Sequence, residues 1–185
     1  MKKIIITGAN SYIASVLLEH LEDLKIKILL ISRQNVLKQN NNKQYTTLKC
    51  DISEENPWKE ILKGGETIIH LASETSNQIA NNEPIGNWKA NVKPIYDIAS
   101  ASAKIKEKPT IIFTSTVTVF GLTSNIPIDE TCPENPVTIY DLHKLTAENL
   151  LRYFNNLGVF KTICLRLSNV YGPGATRQSS DRGIL

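Results

Sequence analysis

Three groups of residues have the types and spacing that chemistry requires. The first is Tyr140-Asp141-Leu142-His143-Lys144. A tyrosine and a lysine four apart fall on one face of a helix. A phenol of ordinary pKa, about 10, is a poor base at neutral pH. A nearby ammonium favours the phenolate, and lowering the pKa by about 3 units takes about 4 kcal/mol. Lys144 and a cofactor charge together can supply that, which makes Tyr140 a candidate general acid/base. Standing alone, the same spacing fits an ordinary surface pair.

The second group is Thr7-Gly8-Ala9-Asn10-Ser11-Tyr12-Ile13-Ala14, directly after an apolar β-branched run and at the opening of a helical pattern. Free N–H groups and the dipole at such a helix start attract a pyrophosphate. Gly8, Asn10, Ser11, Tyr12 and Ile13 are therefore candidate cofactor contacts. The second and third glycines of the full dinucleotide fingerprint are replaced by Ser11 and Ala14. Alanine still allows close helix–strand packing, and the Ser11 hydroxyl can itself donate to a phosphate. The plainer alternative is a tight strand–helix turn.

The third group is Phe113-Thr114-Ser115-Thr116-Val117-Thr118-Val119-Phe120-Gly121. It places hydroxyls at the end of an apolar run, where one can hydrogen-bond a substrate oxygen and assist the tyrosine.

The elements that position these groups follow from periodicity. Apolar runs at residues 2–7, 26–32, 45–50, 66–71, 110–115 and 160–167 predict six strands. Helical spacing predicts helices over 11–23, 54–62 and 87–106, with Pro57 in the first turn of the second and Pro94 kinking the third. A fourth helix is predicted from Thr138, which forms a capping box with Asp141. Its core stripe is Ala147, Leu150, Leu151, Phe154 and Leu157, and Gly158 caps its end. Residues 39–44 read as a loop and 73–84 as a polar connection. Strands alternating with helices predict a doubly wound parallel sheet in a three-layer α/β/α sandwich. Ligands of such sheets sit beyond the carboxyl ends of the strands, near the point where strand order reverses.

Composition sets outer bounds. The chain has 185 residues, 21 Lys+Arg against 18 Asp+Glu, and 41% hydrophobic residues, an ordinary globular balance for one domain. Its lysines are scattered, so no nucleic-acid surface is expected. No apolar stretch approaches the roughly 20 residues of a membrane span, and no membrane partner is expected. Cys50, Cys132 and Cys164 are few, far apart and without metal-ligand spacing, which fits free thiols of a reducing cytoplasm.

Taken together and in this order, the motifs resemble the extended short-chain dehydrogenase/reductase superfamily, in its NAD(P)-dependent epimerase/dehydratase branch, with a Rossmann-like fold over residues 1–174. His70-Leu71-Ala72, Asp51, Asn91-Val92, Glu130-Thr131-Cys132-Pro133 and the run from Leu165 to Gly174 add to the resemblance. It implies an epimerase or reductase of a nucleotide-linked sugar, with Tyr140 as acid/base, Lys144 holding the ribose and Thr116 as the third catalytic member, Ser115 being its fallback. It implies that Asp51 and Ile52 meet the adenine, and that Leu71 and Ala72 line the cofactor. Asn169 is expected at the substrate phosphates and Asn91 either at the substrate or bonding nearby backbone. His70 is expected to be structural. Val117-Thr118 stands where dehydratases of the family carry an Asp-Glu pair, which disfavours dehydration, and Phe120 replaces a usual tyrosine.

Four further expectations follow. The second strand ends Ile31-Ser32-Arg33 with no carboxylate for a ribose 2′-hydroxyl, so Ser32 and Arg33 are expected to favour NADP(H), with NAD(H) possible. The resemblance implies a homodimer through the helices at 87–106 and 138–157. Family members continue into a smaller substrate domain, so residues 175–185 are expected to begin that region. A chain holding only the cofactor half is expected to bind cofactor and to turn over sugar nucleotides poorly. The alternative is a dinucleotide-binding module without turnover.

Overall fold

The apolar β-branched segment Lys3–Thr7 is β1, and the Gly8 turn leads from it into α1 (Tyr12–Leu21). There follow β2 (Lys27–Ser32), β3 (Tyr45–Lys49), α2 (Trp58–Ile61), β4 (Thr67–His70), α3 (Asn77–Asn82), α4 (Pro84–Asn91), α5 (Lys93–Ser102), β5 (Thr110–Thr116), a single 3₁₀ turn (Val117–Phe120), α6 (Ile139–Asn156) and β6 (Lys161–Leu167). The computed structural model describes residues 3–36, 45–123 and 126–172.

All six strands are parallel, in the order β3-β2-β1-β4-β5-β6. Strand order reverses between β1 and β4, so the cleft of a doubly wound sheet opens at their carboxyl ends. The two faces are read off alternate residues. Ile5, Ile68, Ile111 and Phe113 pack against α2, α5 and α6 through Trp58, Ile95, Ile98, Ala147 and Leu151. Ile6, Ile28, Leu30 and Leu71 pack against α1 through Ala14 and Leu18.

The three-layer sandwich is complete over β1 and β2 but not over β6. There Ile163 and Leu165, on the α1 side of the sheet, are 51% and 42% exposed among the described residues. They pair in register with Ile112 and Thr114 of β5.

Three predicted elements differ from the structure. The helix expected at 87–106 is two helices, starting at Pro84 and broken at Val92. Pro94 cannot donate to the carbonyl four residues earlier, and its ring disfavours a continuous helix there. The connection at 73–84 contains α3, capped by Ser76, whose hydroxyl accepts from the Ile79 N–H. The helix expected at 54–62 is a single turn, because residues 51–55 fold around the Asp51 carbonyl and carboxylate first.

Candidate functional site

The Gly8 turn is tied to the end of β4. Gly8 has φ +66°, and a Cβ there would lie 2.8 Å from the Ala72 nitrogen. Only glycine combines that backbone angle with that approach. The stitch beneath it is Thr7, fully buried, whose Oγ1 accepts from the Ala72 N–H and shares a hydrogen bond with His70 Nδ1, each at 3.1 Å. Burial, and then the Lys144 charge, push the His70 imidazole down to about 3, so it is neutral. Its ring stacks on Phe113 of β5 at 5.9 Å.

At the start of α1, Ser11 is the N-cap and its Oγ accepts from the Ala14 N–H. Its own hydroxyl proton remains to be donated, which is what a phosphate oxygen needs. First-turn N–H groups, that of Ile13 among them, have no carbonyl partner within the helix. Asn10 reaches sideways instead. Its Nδ2 donates to Ser32 Oγ and to the Asn35 carbonyl, holding the end of β2 beside the turn. Ser32 Oγ also accepts from the Gln34 N–H, and Arg33 is exposed. After β3, Asp51 Oδ1 accepts from both the N–H and the hydroxyl of Ser53, and Ile52 is buried beneath it. A cradle with room for backbone only, next to a helix start, fits a dinucleotide's pyrophosphate.

Across the cleft, α6 begins with the predicted capping box: Thr138 Oγ1 accepts from the Asp141 N–H, and Asp141 Oδ2 accepts from the Thr138 N–H. That cap sets Tyr140 in the first turn, half-buried, and Lys144 one turn further along the same face. Lys144 is 2% exposed. Its Nζ lies 4.3 Å from the centroid of the Phe113 ring. Burial pushes its ammonium down to about 7, opposed by the Glu148 carboxylate. A continuous line of contacts therefore runs from Gly8 through Ala72, Thr7, His70 and Phe113 to Lys144.

The hydroxyls at the end of β5 divide between the two sheet faces. Thr114 Oγ1 donates to the His70 carbonyl. The Ser115 side chain is buried, and its Oγ has no partner among the described residues. Thr116 lies at the strand's last position and accepts from the Thr118 N–H. Asn169 and Tyr171 follow β6 and are exposed. Residues from 173 on lie outside the described residues, as does the expected start of a second region.

Of the two parts expected of Asn91, the hydrogen bonds seen are those to its own surroundings. Asn91 is 1% exposed, and its amide is spent. Nδ2 donates to the Glu74 carbonyl and to Asn87 Oδ1, while Oδ1 accepts from the Ser73 hydroxyl. Asn87 in turn donates to the Glu74 carbonyl and meets His143 Nδ1 at 2.8 Å. The pair locks α4 and the segment after β4 onto α6.

Two supports of the site were not anticipated. Arg166 of β6 holds Glu148 of α6 through Nε and Nη2, holds Glu134 through Nη2 at 2.6 Å, and lies 4.7 Å from the Phe120 ring centroid. It pins β6, α6, the 3₁₀ turn and the approach to α6 together. Phe120 in place of tyrosine was the available signal, since its ring is what the guanidinium covers. The second support is Thr118, which donates to Asp141.

Comparison with known proteins agrees with this geometry. The NAD dependent epimerase/dehydratase family matches residues 4–185. A UDP-N-acetylglucosamine 4-epimerase of Methanobrevibacter ruminantium, solved with UDP-N-acetylmuramic acid, is 26% identical with a TM-score of 0.88, covering 100% of this chain and 61% of that one. The UDP-glucose 4-epimerase of Thermotoga maritima, solved with UDP-glucose, is 25% identical with a TM-score of 0.82, covering 98% of this chain and 60% of that one. The human dTDP-D-glucose 4,6-dehydratase is 24% identical over 183 residues, 93% of this chain and 52% of that enzyme. The chain spans a little over half the length of the curated relatives it matches. A family model that matches residues 4–185, over a parallel sheet in reversing strand order, shows that the chain belongs to the NAD dependent epimerase/dehydratase family.

Proposed function

We propose that this chain carries the cofactor-binding and proton-transfer half of a nucleotide-sugar 4-epimerase acting on a UDP-linked sugar. The observation that carries the reading is the line of contacts joining the Gly8 cradle to Lys144, one turn from Tyr140. A nicotinamide held there would supply the hydride acceptor and donor. The chain's own residues do the rest. Tyr140 takes the proton of the reacting sugar hydroxyl at its phenolic oxygen and returns it. The buried Lys144 ammonium gains most from a neighbouring anion, because desolvation has removed its water, and so it favours the phenolate. Thr116 meets the sugar oxygen from the opposite side, with Ser115 behind it, and Asn169 approaches the diphosphate. Gly8, Ser11, Tyr12 and Ile13 take the pyrophosphate, Asp51 and Ile52 the adenine, and Leu71 and Ala72 the cofactor face.

Val117-Thr118 supports epimerisation over dehydration. Thr118 is already engaged with Asp141, and neither residue is an acid that could expel water. Ser32 and Arg33 support NADP(H) over NAD(H). Ser32 has accepted two hydrogen bonds and keeps a proton to donate, and the guanidinium beside it is exposed. A homodimer through α4, α5 and α6 is supported by the exposed apolar side chains Ile85, Trp88, Tyr96, Leu142 and Tyr153 on those helices and Leu157 just past α6. No helix among the described residues is long and apolar enough to cross a membrane; with three free cysteines, the reading is a protein of the reducing cytoplasm.

The test is absorbance of the reduced nicotinamide at 340 nm after mixing the chain with oxidised cofactor and UDP-glucose or UDP-N-acetylglucosamine. Reduction that is lost in Tyr140→Phe supports the reading. Tight binding of both cofactor and a nucleotide sugar with no reduction assigns the non-catalytic binding module instead. Parallel titration of both cofactors decides between them, and equal or tighter NAD(H) binding defeats the NADP(H) preference. Sedimentation as a monomer at tens of micromolar, where obligate interfaces persist, defeats the dimer.

A further inference from the structure

The segment that follows β6 reaches back to the start of α1. Gly172 lies against the Tyr12 side chain: a Cβ placed on Gly172 would overlap the Tyr12 hydroxyl oxygen and would lie 3.7 Å from its Cζ. Tyr12 is half-buried, whereas residues 168–172 are exposed. The Gly172 backbone has φ +157°.

This contact crosses the cleft. β1 and β6 are separated by β4 and β5, which makes three strand spacings or about 14 Å. From Leu167, the end of β6, to Gly172 the chain can reach at most about 17 Å. Tyr12 opens α1 just past the carboxyl end of β1, and residues 168–172 leave the carboxyl end of β6. The two meet over the carboxyl ends of β4 and β5, where the cleft of a doubly wound sheet takes its ligand. A ligand lying beneath them leaves only when the segment lifts. The lifted state lacks the Tyr12–Gly172 packing, so a change that disfavours the closed state speeds the opening.

We propose that Tyr12 and Gly172 are positioning residues that clasp the segment after β6 over a bound nicotinamide dinucleotide, so that the cofactor leaves only after this contact opens. The proposal rests on the reading above, in which the Gly8 turn and the start of α1 take the pyrophosphate. It adds a part for the Tyr12 ring, besides its place in the first turn, and it gives Gly172 a reason to be glycine: any side chain there would strike the phenol.

The test reads release and no turnover. The full chain is loaded with NADPH or NADH, and the fall in nicotinamide fluorescence is followed on mixing with an excess of the matching oxidised cofactor. Gly172→Ala is expected to release the cofactor about tenfold faster, the lower range for an overpacked contact. Made on top of Tyr12→Phe, the same change is expected to alter the rate no more than about twofold, because the oxygen it strikes is gone and Cζ at 3.7 Å is in ordinary contact. Alanine strains the positive φ of Gly172 in both backgrounds, so a purely backbone effect would appear equally in each. An equal effect in the two backgrounds overturns the proposal, as does unchanged or slower release in Gly172→Ala; either leaves the cofactor reading standing. Should Gly172→Ala fail to fold, Tyr12→Ala empties the clasp from the other side and is expected to speed release, and an unchanged rate overturns the proposal. A wild-type chain that binds neither reduced cofactor overturns the functional reading, and this proposal with it.

Discussion

Thr7 Oγ1 and His70 Nδ1, 63 residues apart in the chain, share a buried hydrogen bond of 3.1 Å that joins the carboxyl ends of β1 and β4 directly behind the Gly8 turn. The imidazole sits in a site where burial, and then the Lys144 charge, keep its pKa near 3, against about 6.5 when unfolded. Between those values the unfolded chain binds the extra proton, so stability falls as pH drops from about 6.5 toward 3, by up to about 1.4 kcal/mol per unit from this group. Above about 6.5 the group contributes no slope. Urea unfolding of wild type and His70→Gln across pH 4–8 checks this: the difference between the two should grow below about 6.5 and be constant above it.

Lys144 has the same sign over a different window. Its folded value of about 7 lies below its unfolded 10.5, so the unfolded state binds more protons from about 7 to 10.5 and stability rises with pH across that range. Lys144→Met removes the penalty. At pH 7 and below it should stabilise the cofactor-free chain by about 1–3 kcal/mol and raise Tm by roughly 3–10 °C. The same variant should slow nicotinamide reduction at least about 100-fold, the lower range for a lost acid/base partner. Calorimetric melting at pH 6 and 9 reads the first effect, and a fall in Tm at pH 6 contradicts it.

Arg166→Met leaves Glu148, only 3% exposed, without its guanidinium. Stranding a buried carboxylate costs about 3–5 kcal/mol. Glu134→Gln should cost no more than about 1 kcal/mol, since that partner is 31% exposed. The Arg166→Met/Glu148→Met double variant should recover most of the first loss. Denaturant midpoints of the three variants test this, and a double variant no better than Arg166→Met refutes the stranded-charge account.

Gly8→Ala and Gly158→Ala both place a Cβ on a backbone of positive φ. At Gly158 that Cβ meets nothing within 4 Å, whereas at Gly8 it meets the backbone of Leu71 and Ala72 at 2.8–3.0 Å. The Gly158 change should cost about 1 kcal/mol. The Gly8 change should cost about 2 kcal/mol or more and weaken cofactor binding at least about tenfold, because the cradle must move off β4. Cofactor titration and thermal melting of both variants decide it. Equal costs at the two positions contradict the close-approach reading.

Local signals were legible in the sequence. The Thr138–Asp141 capping box, the Gly158 cap, the Gly8 turn and the alternation of strand and helix all depend on residues within a few positions of one another. They fix φ/ψ and hydrogen bonds before the chain has a tertiary structure, and they suffice to put Tyr140 and Lys144 on one helical face. The break at Val92 was half-visible, since Pro94 forbids a hydrogen bond but does not say whether the helix bends or stops. What decided it was packing: Ile95, Ile98 and Ala99 had to face the sheet while Asn87 and Asn91 faced the segment after β4. Only the tertiary structure decided that Asn91 bonds the Glu74 carbonyl, Asn87 and Ser73, that Arg166 grips Glu148 from 18 residues away, and that Thr118 meets Asp141 across 23. Those contacts join a strand or its following turn to a helix through side chains whose types alone admit many partners. Their pairing depends on where the parallel crossovers bring β5, α6 and β6 together, and no periodicity in the sequence encodes that distance.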